Sequence, residues 1–200
     1  MKQIEITTRV LENIDKVKEK LLKLGYQQRE VGYIDDTYFC PSLFGLRENN
    51  IADFLKRCVL VRCIRAGEDV FQKLTYKNKV FQGDVTLTEE KINVNIDDVQ
   101  QAKLLLLALH FQELVQVKYD YWVYEKDGVE LALQNVEGLG LLLEYEYLED
   151  FAGKDGTTIL QAKERMLQAI KNLEIKITDE YDVKKAYELI TKKIGTGASL

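Results

Sequence analysis

The sequence predicts an α+β protein built on one large antiparallel sheet or barrel, and three observations predict it. Long stretches rich in Val, Ile, Tyr and Thr recur along the chain, joined by hairpin turns rather than by regular helical crossovers. A single proline in 200 residues leaves those stretches uninterrupted. No glycine-rich loop leads from a strand into a helix, so a Rossmann or P-loop fold has no support.

The elements follow in order. Residues 3–10, QIEITTRV, alternate as a strand does, with Ile4 and Ile6 on one face and Glu5, Thr7 and Arg9 on the other. Residues 13–24 carry Ile14, Val17, Leu21 and Leu24 on one helical stripe, opened by Asn13 and closed by Gly25. Strands are expected over 27–39, 58–66, 69–77 and 84–94, with AGED (66–69) as a hairpin turn. A helix over 97–109 shows Val99, Ala102, Leu105 and Leu109, with Asp97 and Asp98 at the positive end of its dipole. Strands over 112–125, 129–136 and 140–148 are separated by KDG (126–128) and EGLG (137–140). Helices over 157–172 and 183–194 close a single unit spanning 1–194, and 195–200 reads as a loose tail.

Composition narrows the function. Hydrophobic residues make up 46% of the chain, enough for a substantial core. A net charge of −5 with both signs interspersed gives no basic stripe, which argues against nucleic acid. The start already has a strand pattern, and LLLLAL (104–109) is too short to cross a membrane, so a soluble, cytoplasmic protein is expected. Cys40, Cys58 and Cys63 lack zinc-ligand spacing and read as free thiols. The only histidine, His110, sits at a helix end, which leaves little room for His-dependent nucleophilic chemistry.

The strand faces carry the chemistry. Lys73, Thr75 and Lys77 share one face of their strand, as do Leu142, Glu144 and Glu146 of another, and Glu130, Ala132 and Gln134 of a third. If the sheet closes, such faces line a lumen of acids and bases. If it stays open they meet water, the reading that composition alone favours.

The order of these pieces resembles the CYTH family, the triphosphate tunnel enzymes, which include class IV adenylyl cyclases, thiamine triphosphatases and inorganic triphosphatases. The opening strand is similar to that family's Glu-x-Glu-x-Lys motif, DDTYF (35–39) to its aspartate-tyrosine signature, and VLVRCIR to its strand with a buried arginine. KLTYKNK and TEEK follow in the expected order, and VELALQNVEGLGLLLEYE is the most specific match. The likeness runs from the first strand to about residue 148.

The resemblance implies a closed eight-stranded antiparallel tunnel with helices packed outside, holding a nucleotide or other triphosphorylated ligand. Such a site works by positioning and charge neutralisation. Arg9, Arg62 and Lys77, with Lys73 beside them, would face the phosphates, while Arg65 has the opposite parity. Glu5, Glu144 and Glu146 would hold Mg²⁺ or Mn²⁺, which prefer oxygen ligands. Departures fall on the same parts. Gln3 and Thr7 stand where two charges belong, Tyr119 and Tyr121 replace two basic residues, and Gln134 replaces a metal-binding aspartate. Tyr119 and Tyr121 would stack on a ligand ring or simply fill the tunnel. Three functions stay open: a metal-dependent triphosphatase or nucleotidyl cyclase, a ligand-binding module without turnover, and a scaffold for a protein interface.

Overall fold

The computed structural model describes residues 4–82, 85–147 and 151–196. Gln3, residue 84 at the start of one expected strand, residue 148 at the end of another, and tail residues 197–200 lie outside the described residues. The strands are β1 (Ile4–Arg9), β2 (Gln27–Cys40), β3 (Val59–Ala66), β4 (Asp69–Gln82), β5 (Val85–Asn95), β6 (Gln112–Lys126), β7 (Val129–Val136) and β8 (Gly140–Tyr147). The helices are α1 (Ile14–Lys23), α2 (Ile51–Leu55), α3 (Val99–Ala108), α4 (Gly156–Lys171) and α5 (Lys185–Gly195). None of them is long and apolar enough to cross a membrane.

All eight strands join one antiparallel sheet in the order β1-β8-β7-β6-β2-β3-β4-β5. The sheet curls so that strands from both of its halves line one cavity. Close packing between paired strands demands glycine at one position. A Cβ on Gly32 would lie 2.3 Å from the Arg65 carbonyl oxygen and 2.7 Å from the Tyr121 ring.

The expected full closure of the barrel is not what the sheet does. No ladder joins β1 to β5 among the described residues, and the outer edge of β1 is satisfied by other chain segments. The Thr7 amide donates to Tyr181 O (3.1 Å), while the Thr7 carbonyl accepts from the Val183 amide (3.1 Å) and that of Arg9 from the Thr178 amide (3.0 Å). The buried Lys163 of α4 donates its Nζ to the Glu5 carbonyl at 2.7 Å. Edge groups that are already bonded cannot pair again, so the fold is a curled half-barrel.

The convex face packs as expected. Ile4, Ile6, Leu131, Leu133 and Leu143 meet Val17 and Leu21 of α1 and Ile159, Met166 and Ile170 of α4. Leu106 of α3 covers Phe39 and Val61. The helices are not all outside, however. Ile51 and Phe54 of α2 and Ala186 and Ile190 of α5 pack with Val117, Tyr119, Val136 and Leu142, which point to the concave side. One end of the concave face is apolar, and burying it takes a helix.

Candidate functional site

The cavity inside the curl, of about 150 Å³, is lined by residues from β1 to β6, β8, α2 and α5. Strand alternation sets its lining. Arg62 on β3 is registered opposite Asp36 on β2 on one side and Lys73 on β4 on the other. Lys77 on β4 is opposite Lys91 on β5. Like charges facing each other across strands repel unless counter-ions intervene. Asp36 supplies one, accepting from Arg62 Nε at 2.6 Å and taking a second bond from the same guanidinium, a bidentate pair. Glu89 supplies another, at 3.3 Å from Lys77 Nζ and 3.6 Å from Lys91 Nζ. Lys73 has no carboxylate within ion-pair distance among the described residues. Its pKa is lowered by burial first, then by the charges of Arg62 and Lys91.

The opposite side is acidic. Glu5 on β1 is registered opposite Glu146 on β8, and Thr7 opposite Glu144. Lys91 spans from β5 to Glu146 at 3.3 Å, a side-chain link between the two sheet ends. Burial, with Glu5 and Glu144 adding to it, raises the Glu146 pKa despite the ammonium of Lys91. Glu144 behaves in the reverse way. Burial would raise its pKa, but the charge and hydrogen bond of Lys185, with Lys91 and Lys77 behind it, hold the carboxyl down at about 2. Lys185, the first residue of α5, donates its Nζ to Glu144 Oε2 at 2.9 Å and to Gln134 Oε1 at 2.7 Å.

The residues expected from sequence separate into three groups. Glu5, Arg62, Lys77, Glu144 and Tyr119 line the cavity together. Lys73 and Glu146 share its face through register with Arg62 and Glu5. Arg9 and Tyr121 are not brought into it. Arg9 turns to α5, pairing with Glu188 at 2.7 Å and donating to Leu139 O at 3.0 Å, because its strand ends beside that helix. Tyr121 lies against Gly32 and its hydroxyl donates to Glu30. The sequence reading missed Lys91, although its two-residue spacing from Glu89 could have revealed it. It also missed Lys185, for which a helical position gives no such signal.

A divalent metal of the kind the resemblance implies needs several oxygen donors not already committed to another cation. Here Glu144 and Gln134 both give oxygens to Lys185, and Glu146 gives one to Lys91. Among the described residues no three of His, Cys, Asp and Glu are gathered closely enough to hold an ion. The donor set as placed does not fit Mg²⁺ or Mn²⁺ at Glu144.

Comparison with known proteins agrees with this architecture. The CYTH domain profile matches residues 1–187. A candidate adenylate cyclase from Methanocaldococcus jannaschii is 28% identical over 188 residues, covering 94% of this chain and 97% of that one. Among solved structures, a protein of Pyrococcus horikoshii superposes with a TM-score of 0.71 at 25% identity, over 96% of this chain and 99% of its own. A candidate adenylyl cyclase from Hippeastrum with dominant triphosphatase activity gives a TM-score of 0.60 at 15% identity, over 100% of this chain and 98% of its own, a likeness of fold alone.

Proposed function

The chain belongs to the CYTH domain family, and from that premise we propose that its cavity binds a small triphosphorylated anion, a nucleotide or a polyphosphate. The observation that carries this reading is the placement of Arg62, Lys73, Lys77 and Lys91 at register-adjacent positions on one concave face. A triphosphate brings roughly four negative charges, and a fixed row of cations needs no rearrangement to receive them. Asp36 and Glu89 hold three of these cations in place, and Lys73 is the member without an ion-paired carboxylate among the described residues. Tyr119 offers an aromatic wall beside the charges, suited to a ring on the ligand.

Hydrolysis of that anion is a second reading, and Glu5 favours it. Its carboxylate lines the cavity with the charge of Lys91 beside it and accepts no side-chain hydrogen bond among the described residues, which leaves its oxygens available to a water. The name of the Methanocaldococcus jannaschii relative, a candidate adenylate cyclase, brings cleavage of a nucleoside triphosphate to this chain as a related reaction class.

Calorimetric titration with tripolyphosphate and with ATP tests the binding reading. Both are expected to bind, and Lys73→Met is expected to weaken them roughly tenfold, about 1.4 kcal/mol, without lowering the melting temperature. Absence of binding to wild type overturns it. Phosphate release that falls in Glu5→Gln while tripolyphosphate binding persists would support hydrolysis, and unchanged release would remove Glu5 from that role.

A further inference from the structure

We propose that Lys185 is a resident countercation, filling with its ammonium the place beside Glu144 that a divalent metal would take, so that this side of the cavity works with metal-free anions. The inference rests on the ligand reading above for what the cavity receives, but its core concerns the protein alone.

The geometry supports it in three ways. First, the ammonium of Lys185 is engaged by protein groups. It donates at 2.9 Å to Glu144 Oε2 and at 2.7 Å to Gln134 Oε1, and it lies 4.9 Å from the centroid of the Tyr119 ring. An ammonium has three donors; oxygens take two of them, and the ring face lies beside the charge. Second, the donor chemistry matches a monovalent cation. One carboxylate balances one positive charge, and the Gln134 amide adds an oxygen without adding charge. A divalent ion at the same place would keep a net positive charge with fewer ligands than it needs.

Third, the lysine is fixed by its helix. Ile190 of α5 is fully buried, Glu188 pairs with Arg9 at 2.7 Å, and Lys192 donates to the Gly138 carbonyl at 2.7 Å. Just before α5 the Val183 amide donates to the Thr7 carbonyl. A cation in the first turn of a helix opposes the helix dipole, so the position is unfavourable without a buried carboxylate to meet it. Glu144 is that carboxylate. A metal entering at Glu144 must first displace an ammonium that α5 holds in place.

Manganese alone is the probe, followed by electron paramagnetic resonance and by thermal melting. Wild type is expected to take up Mn²⁺ at least tenfold more weakly than Lys185→Met, and Mn²⁺ is expected to raise the melting temperature of the variant only. Lys185→Met/Glu144→Gln, which removes both charges, should lose the gain. Equal uptake by wild type and Lys185→Met overturns the inference, and so does tight uptake by wild type that Glu144→Gln abolishes. This last comparison decides the matter even if Lys185→Met does not fold without metal. Tripolyphosphate titrated in EDTA separates the two readings. Binding that requires added metal overturns the role of Lys185 and leaves the ligand reading intact. Binding under neither condition removes the ligand reading while the manganese result stands.

Discussion

Asp36 and Arg62 show how a single pair sets the character of the cavity. They sit opposite each other on β2 and β3, with the Asp36 side chain 3% and the Arg62 side chain 15% exposed. Two charges taken from water at this depth are worth little net stability as a pair, but the loss of one strands the other. Asp36→Ala is therefore expected to destabilise the fold by about 3–5 kcal/mol in urea unfolding. Asp36→Ala/Arg62→Met is expected to recover most of that loss, because no unpaired charge remains buried. Equal costs for the single and double variants would show that packing, rather than charge, governs the position. The neighbouring Lys73 has no such partner among the described residues, which is why it is the cation to alter when binding is tested separately from folding.

At the scale of elements, α5 links the core to the site. Its inner face carries Ala186 and the fully buried Ile190, and its first residue reaches Glu144. Ile190→Ala is expected to cost about 2–5 kcal/mol through the cavity it leaves. Faster amide exchange should then appear in α5 and in the segment from Tyr181 to Val183 that bonds to β1, and exchange confined to α5 would refute the coupling of the two. The sequence revealed most elements well. Alternation over Glu5, Thr7 and Arg9 and over Leu142, Glu144 and Glu146 marked the strands, and helical stripes behind Asn13 and over 157–172 marked α1 and α4. It did not reveal α2, whose Ile51 and Phe54 span too few turns to set a period. It also could not say that α5 enters the concave side. An apolar stripe records that a helix is buried, not which face of a sheet buries it.

For the whole molecule, the same distinction separates what was legible in the site from what was not. Alternation grouped Glu5 with Arg9, Lys73 with Lys77 and Glu144 with Glu146 on their own strand faces, the resemblance added Arg62, and Glu5, Arg62, Lys77 and Glu144 line one cavity. The strand face of Arg9 and the resemblance for Tyr121 pointed there too, and position along the strand, beside α5 for Arg9 and against Gly32 for Tyr121, takes them away. The charges that remain couple the fold to pH, and the sign differs between groups. Glu144, whose ordinary value of 4.5 falls to about 2 in the fold, stabilises fully above 4.5, and its contribution disappears as the pH drops through 2. That contribution is on the order of 3 kcal/mol. Glu146 is raised by burial in spite of Lys91, so it penalises the fold while ionised and the penalty is relieved on acidification. Burial would lower Lys91 and Lys185, but their carboxylate neighbours push both above the ordinary 10.5. They therefore stabilise fully below 10.5 and less as the pH rises beyond it. Urea unfolding is expected to show a plateau from about pH 5 to about pH 10 with a loss on either side. In Glu144→Gln the plateau should be lower and the acid limb shallower, because the group that titrates there is gone. An acid limb that superimposes on that of wild type would mean that Glu144 does not carry the linkage, and that the pair it makes with Lys185 is not formed in solution.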